Sequence, residues 1–175
     1  MKKATELELI AALNIAANMA ATARTAPKTR GIDNIEVIVI DDIATREKLR
    51  SRMKEISERD SRPSFCRDAD SVTLSPAIIV VGVKSQPAGL DCGFCGYKTC
   101  AELLKTPGIC SYNSIDLGIA VDSAASVAAQ SHVDNRIMYS VGRAAIELGL
   151  FSKEVHQALG IPLSITGKNP FFDRK

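Results

Sequence analysis

The residues with the clearest chemical capability are four closely spaced cysteines: Cys92, Cys95, Cys100 and Cys110. The chain has five cysteines in all, so most of its thiols lie in one short segment, residues 91–110. The spacing C-x2-C-x4-C-x9-C allows short loops to direct four sulfurs towards one small inorganic centre. Gly93 and Gly96 favour this arrangement, because glycine tolerates positive φ angles and lets the backbone approach a cluster closely. The segment therefore predicts a thiolate-bound metal centre that handles electrons.

Three kinds of site fit these cysteines. The first is a [4Fe–4S] cluster on all four thiolates. The second is a single zinc ion, since Cys-x2-Cys is also a zinc-knuckle spacing, although Cys100 and Cys110 are too far apart to form a second knuckle. The third is thiol chemistry without a metal. Cys66 stands apart and is predicted to be a free structural cysteine, with a ligand role in place of Cys110 or a redox role as alternatives.

Charge and hydropathy narrow the possible partners. Lys plus Arg number 22 and Asp plus Glu number 20, which gives no strong argument for nucleic acid or an anionic membrane surface. No stretch approaches the roughly 20 apolar residues that span a bilayer, and the first residues do not resemble a signal peptide. We therefore expect a cytoplasmic protein, where reduced thiols favour metal binding over disulfides.

The hydrophobic pattern predicts helices alternating with a few strands. The predicted helices are 5–23, 44–59, 97–105, 115–131, 134–148 and 152–160, and the predicted strands are 35–40, 77–83 and 161–166. Asp42 is expected to cap the second helix and Gly149 to follow the fifth. This order predicts a single α+β domain over 1–175, with a small sheet flanked by helices.

Two of these helices, 5–23 and 115–131, are apolar on nearly every face. One domain of this size cannot cover both, so we expect them to pack across a two-fold axis in a homodimer.

A second candidate site is the basic loop that precedes the first strand. Lys28 and Arg30 flank Thr29, and two cations with nearby backbone N–H groups are able to hold a phosphate. Lys168 and Arg174 are candidates to join this site. The alternative is a solvated basic loop without a ligand.

Most of the chain resembles a prokaryotic family of uncharacterised proteins that contain a ferredoxin domain. The resemblance is carried by residues 23–34, 92–96, 134–136 and 167–174. A looser resemblance, through Ala26-Pro27-Lys28, Asp116–Ala120 and Leu159–Pro162, is to the FMN-dependent nitroreductases. That resemblance implies an α+β sandwich, FMN as a cofactor, and a homodimer. The cysteine segment would then be an iron–sulfur loop inserted into this sandwich. Lys28 stands where those enzymes have a serine.

These observations lead to two main functional hypotheses. In one, a small oxidoreductase passes electrons between the cluster and a flavin, which then reacts with a small-molecule acceptor or a redox partner protein. In the other, a ferredoxin-like carrier or redox sensor presents the cluster and has no active site of its own. A structural zinc protein is a third possibility. His132 and His156 are expected to be surface residues without a catalytic role.

Overall fold

A computed structural model describes residues 1–172. In chain order the elements are α1 (Ala4–Thr25), β1 (Ile35–Ile40), α2 (Ile43–Arg59), α3 (Pro63–Leu74), β2 (Ile78–Lys84), α4 (Cys100–Leu103), α5 (Ser111–Gln130), β3 (Asp134–Asn135), α6 (Tyr139–Glu147) and β4 (Val155–Ser164). A single 3-10 turn, Thr29–Gly31, follows α1. The α+β class with a small sheet and flanking helices is thus confirmed.

The sheet has the strand order β1-β2-β4-β3, and all neighbouring strands are antiparallel. β2 is buried on both faces, as its continuous apolar run predicts for a central strand. Ile79 and Val81 pack in one core with α1 and α5, whereas Ile78 and Val80 pack in a second core with α2, α3 and α6. The sheet therefore separates two helical layers, and β2 contributes to both.

Helix α6 lies directly against the backbone of β4. A Cβ atom at Gly142 would be 1.8 Å from the carbonyl oxygen of Ala158, and a Cβ at Gly160 would be 2.1 Å from a methyl carbon of Val141. The two elements can approach this closely only because glycine occupies both contact points.

Several local predictions agree with the structure. β1 has the predicted bounds, and the Asp42 carboxylate accepts a hydrogen bond of 2.7 Å from the backbone N–H of Thr45 at the start of α2. Gly149 follows α6 with a φ of 69°, the left-handed conformation expected after a helix.

Helix α3 is not among the predicted helices. Pro63 is its first residue, where a missing N–H costs nothing because no intrahelical partner exists there. Cys66 consequently lies on an exposed part of this helix.

The predicted helix 134–148 begins too early, and the predicted helix 152–160 is wrong. Asp134 and Asn135 form β3, and α6 starts only at Tyr139. Residues 155–160 belong to β4, which pairs along most of its length with β2. Pairing with a central strand overrides the weak local preference of a segment without β-branched residues after Val155.

The helices around the cysteines also differ from prediction at their ends. The predicted helix 97–105 is only the four-residue α4, because the preceding residues form turns. α5 starts at Ser111, earlier than the predicted start at residue 115, and the capping position belongs to Cys110. None of the helices in residues 1–172 combines the length and apolarity that a bilayer crossing requires.

Candidate metal centre and the adjoining basic loop

The four clustered cysteines lie between the end of β2 and the start of α5, and all four line one concavity. Cys92 is exposed, Cys95 and Cys100 are half-buried, and Cys110 is buried. All are free thiols. The segment therefore gathers its donor sulfurs at one place, with access from solvent on the Cys92 side.

The curl of the segment depends on positive φ angles. Gly93 and Gly96 have φ values of 75° and 85°, and the Gly96 N–H donates to the Gly93 carbonyl at 2.9 Å. Asp91 also has a positive φ, 46°, and its carboxylate accepts a hydrogen bond of 2.6 Å from the Cys100 N–H. This contact closes the segment, because it joins its first residue to the start of α4.

Two side-chain hydrogen bonds fix the start of α4, one to a residue that precedes the helix and one to a residue within it. The Thr99 hydroxyl accepts from the Glu102 N–H at 3.2 Å, and the Glu102 carboxylate accepts from the Lys98 N–H at 3.1 Å. Cys100 is thereby held as the first residue of the helix.

Cys110 occupies the capping position of α5 and has no side-chain cap bond there. The N-terminus of this 20-residue helix carries a partial positive charge, and Cys110 lies at that end of the helix.

Aromatic side chains border the concavity. The rings of Phe94 and Tyr112 stack with centroids 5.7 Å apart, and Tyr97 is half-buried against Leu103 and Cys110. Tyr97 also lines the concavity.

The donor set fits an iron–sulfur cluster in chemistry, since four thiols line one concavity. The concavity encloses only about 10 Å³ of free space, which is close to the minimum for one water molecule. Within residues 1–172, no three His, Cys, Asp or Glu side chains are arranged to hold a single metal ion. A metal centre therefore requires the cysteine side chains to rearrange from the positions seen here.

In the basic loop, Lys28 is turned inward. Its side chain is 8% exposed, and its ammonium group donates to the carbonyls of Arg24 and Ala26 at the end of α1. It also lies 3.9 Å from the carboxylate of Asp33. In this conformation Lys28 serves as a cap for the last carbonyls of α1.

Thr29 and Arg30 connect the loop to the rest of the site. The Asp116 carboxylate, buried on α5, accepts from the Thr29 N–H at 3.0 Å and from its hydroxyl at 2.8 Å. Arg30 donates through Nη1 to the carbonyl of Ala88 at 3.0 Å, just before the cysteine segment. The structure therefore brings Arg30 next to the metal-centre segment.

Sequence reasoning missed the positioning role of α5. Asn113 and Asp116 are buried on its first two turns, and the Asn113 side-chain carbonyl accepts from the Gln86 N–H at 3.1 Å. The sequence did contain a signal for this role, because these two polar residues fall on the apolar face of the helix. A buried polar group without a hydrogen-bond partner is unfavourable in free energy, so such residues are expected to have partners.

The structure places Lys168 away from this loop. Thr166, two residues earlier, borders a concavity with Thr5 and Leu9 at the start of α1, whereas the basic loop follows the end of α1. A 22-residue helix spans about 33 Å, so within one chain Lys168 does not meet Arg30. Arg174 lies outside the described residues.

Comparison with known proteins identifies relatives of this chain. The model of a family described as "Uncharacterized protein containing a ferredoxin domain (DUF2148)" matches residues 106–174. An uncharacterized protein of Archaeoglobus fulgidus is 42% identical over 166 residues, covering 89% of this chain and 88% of that protein. The chain belongs to this family. The predicted membership in the ferredoxin-domain family is thereby confirmed.

The fold of this ferredoxin-domain protein is that of the nitroreductases. A nitroreductase with bound FMN from Desulfitobacterium hafniense DCB-2 superposes with a TM-score of 0.63 at 14% identity, covering 89% of this chain and 78% of that chain. A BluB-like flavoprotein from Clostridium difficile 630 gives a TM-score of 0.60 at 17% identity, with coverages of 89% and 81%. The predicted nitroreductase-like sandwich is confirmed, and family and fold together indicate a redox function.

Proposed function

We propose that this ferredoxin-domain protein binds a [4Fe–4S] cluster and uses it to transfer electrons. The proposed ligands are the four clustered cysteines: Cys92, Cys95, Cys100 and Cys110. The observation that carries the proposal is that all four line one concavity, although they belong to two helix starts and the turns between β2 and α4. Four thiolates are the standard ligand set of such clusters.

The arrangement favours a cluster over a single zinc ion. Four thiolates around one zinc ion must converge at about 2.3 Å from its centre, whereas a cluster distributes its ligands over four iron atoms. Within the described residues the thiols share a concavity without a mononuclear geometry. Their spacing also lacks a second zinc knuckle, because Cys100 and Cys110 are too far apart in sequence.

The second part of the proposal is an FMN held beside the basic loop. Arg30 supports it, because its guanidinium is anchored to Ala88 and so lies next to the cysteine segment. Lys28 requires a change of partner, from the α1 carbonyls to a phosphate. Lys168 contributes only if it comes from a second chain, which is consistent with the proposed homodimer.

With both groups present, the protein is an oxidoreductase in which the cluster exchanges single electrons and the flavin exchanges pairs with an acceptor. With the cluster alone, it is a carrier or redox sensor. The free thiols throughout the chain suit a reducing compartment, and we propose the cytoplasm.

Anaerobic reconstitution with iron and sulfide tests the cluster. We expect about four iron and four sulfide per chain, and no cluster of that composition in Cys110→Ser. Cys66→Ser is the matched control and should retain the full iron content. Zinc without iron in protein isolated anaerobically, or a Cys110→Ser variant with unchanged iron, would contradict the assignment.

Flavin content tests the oxidoreductase form. Replacing Lys28 and Arg30 together by alanine should abolish FMN retention and leave the iron content unchanged. A double replacement of Lys48 and Arg50 on α2 controls for the loss of two positive charges. If the wild type binds no FMN, or the loop variant keeps it, the carrier form replaces the oxidoreductase form.

A further inference from the structure

A groove of about 530 Å³ lies between α5, α6 and β4, apart from the basic loop. We propose that this α5–α6 groove binds a small organic anion with an apolar body, such as an aromatic carboxylate. The volume is in the range of small-molecule sites. The proposal does not depend on the cluster or on the flavin.

The groove has an apolar wall. Its apolar lining residues are Leu117, Ile146, Ala158 and Leu159. Leu117 and Ala158 are buried, so the wall belongs to the rigid part of the fold rather than to a loop. An apolar ligand body gains free energy by displacing water from such a wall.

The guanidinium of Arg143, which lines the groove, is able to donate further hydrogen bonds. Arg143 donates through Nε to Glu147 at 3.2 Å and through Nη2 to Asp60 at 2.8 Å. Within residues 1–172 its Nη1 has no protein acceptor. Asp60 and Glu147 hold the Arg143 guanidinium in a fixed orientation. Both carboxylates also form ion pairs with Arg59. The remaining N–H groups are preorganised to meet an anion.

Two further donors lie on β4. The Ser114 hydroxyl donates to the side-chain carbonyl of Gln157 at 2.9 Å, which fixes that amide and leaves its NH2 group without an acceptor among the described residues. His156 is exposed and lines the same groove. Glu147, the acid of the lining, is already paired with two arginines and therefore repels an anion less than a free carboxylate would.

The groove is also a neighbour of the metal-centre segment. His156 lines the groove and a second concavity, which is bordered by Cys110 and Leu103. A ligand in the groove is thus separated from the most buried clustered cysteine by the His156 side chain and one small space. This position would let the ligand respond to the state of the centre.

Proton NMR of the two histidines tests the proposal, because the chain has only His132 and His156. Titration with 2-naphthoate should shift the His156 ring signals and leave those of His132, at the far end of α5, unchanged. The uncharged 2-naphthalenemethanol should bind about tenfold more weakly, since a hydrogen bond to a charged group contributes that much.

Two variants make the test specific. Arg143→Gln should reduce the preference for 2-naphthoate over the alcohol about tenfold. Ser114→Trp should block the groove and remove binding, whereas Ser51→Trp, at an exposed position on α2, should not. The proposal is overturned if millimolar 2-naphthoate leaves His156 unmoved, if the alcohol binds equally well, or if Ser114→Trp binds like the wild type.

Discussion

Arg30 Nη1 lies 3.0 Å from the carbonyl oxygen of Ala88 and donates a hydrogen bond to it. This bond links the loop after α1 to the residue that leads into the cysteine segment. A Cβ at the next residue, Gly89, would be 2.9 Å from the same nitrogen, so the guanidinium fits closely against this backbone. The two candidate cofactor sites are therefore parts of one structural unit. Asn113 and Asp116 connect α5 to this unit by hydrogen bonds.

Asp116→Ala tests how much α5 contributes to this unit. The change leaves the Thr29 N–H and hydroxyl without their acceptor, and we expect the free energy of unfolding to fall by about 1–3 kcal/mol. Asp122→Ala, at an exposed position on the same helix, is the control and should change it by less than about 0.5 kcal/mol. Urea denaturation measures both, and equal effects would contradict the assigned role.

Gly142→Ala should be strongly destabilising. The new methyl group would lie 1.8 Å from the Ala158 carbonyl oxygen, so α6 would have to move away from β4, at a cost of about 3 kcal/mol. Gly118→Ala provides the contrast, because nothing lies within 4 Å of a Cβ at that helical position. That change should stabilise the protein by about 0.5–1 kcal/mol. A tolerated Gly142→Ala would show that the α6–β4 contact is looser than described.

Acid should weaken the contact between α2 and α6. Hydrogen bonds from Arg59, assisted by Arg143, hold the pKa of Glu147 below its usual value of 4.5. A lowered folded-state pKa means that the carboxylate stabilises the fold above pH 4.5, and this contribution is lost as the pH falls through the folded-state pKa. We expect Glu147→Gln to be less stable than wild type at neutral pH by about 1 kcal/mol and to lose less stability in acid. The exposed Glu58→Gln is the control, and parallel pH profiles for wild type and Glu147→Gln would refute the argument.

Reduction of the proposed cluster should broaden one histidine signal selectively. His156 borders the same small concavity as Cys110, whereas His132 follows the opposite end of α5, about 30 Å along the helix. A paramagnetic reduced cluster at Cys110 should therefore broaden the His156 ring protons and spare those of His132. Equal broadening of both signals would place the iron elsewhere.

The proposed homodimer is tested at the exposed apolar residues of α1 and α5. Ile10 and Ile119 are 40% and 38% exposed, and Leu7 is 51% exposed. If these faces pack across a two-fold axis, Ile119→Glu should convert a dimer to monomer in analytical ultracentrifugation. Ile43→Glu, which changes a 71% exposed isoleucine on α2, should leave the mass unchanged. A monomeric wild type at micromolar concentration would rule the dimer out.

The sequence alone was sufficient to predict the elements whose local conformational preference agrees with their packing in the fold. The β-branched run of β1 and the continuous apolar run of β2 were both assigned correctly, and so was the cap at Asp42. The four cysteines line one concavity, and their role as ligands of one centre stays a prediction. In each case the decisive interactions lie within a few residues along the chain.

The errors come from interactions between distant residues. Residues 155–160 form a strand because β2 offers a full set of backbone partners, which no local pattern reveals. Lys28 is a different case, because its acceptors are carbonyls only two and four residues away, and its role as a phosphate ligand stays a prediction. The α5–α6 groove was missed because its lining comes from three elements whose packing is not encoded in any one motif.

The close packing of α6 against β4 also bears on aggregation through the edge of the sheet. The N–H and C=O of Gly160 both bond to Met138 on the side of β4 away from β2, and the carbonyl of Ala158 points to that same side. β3 covers only the last residues of this edge. At Ala158 and Gly160 these hydrogen-bonding groups would be available to strands of other molecules, but Gly142 brings the helix against this part of the edge and leaves no space there for an added strand. Glycine at this one position thereby limits aggregation through the middle of the edge.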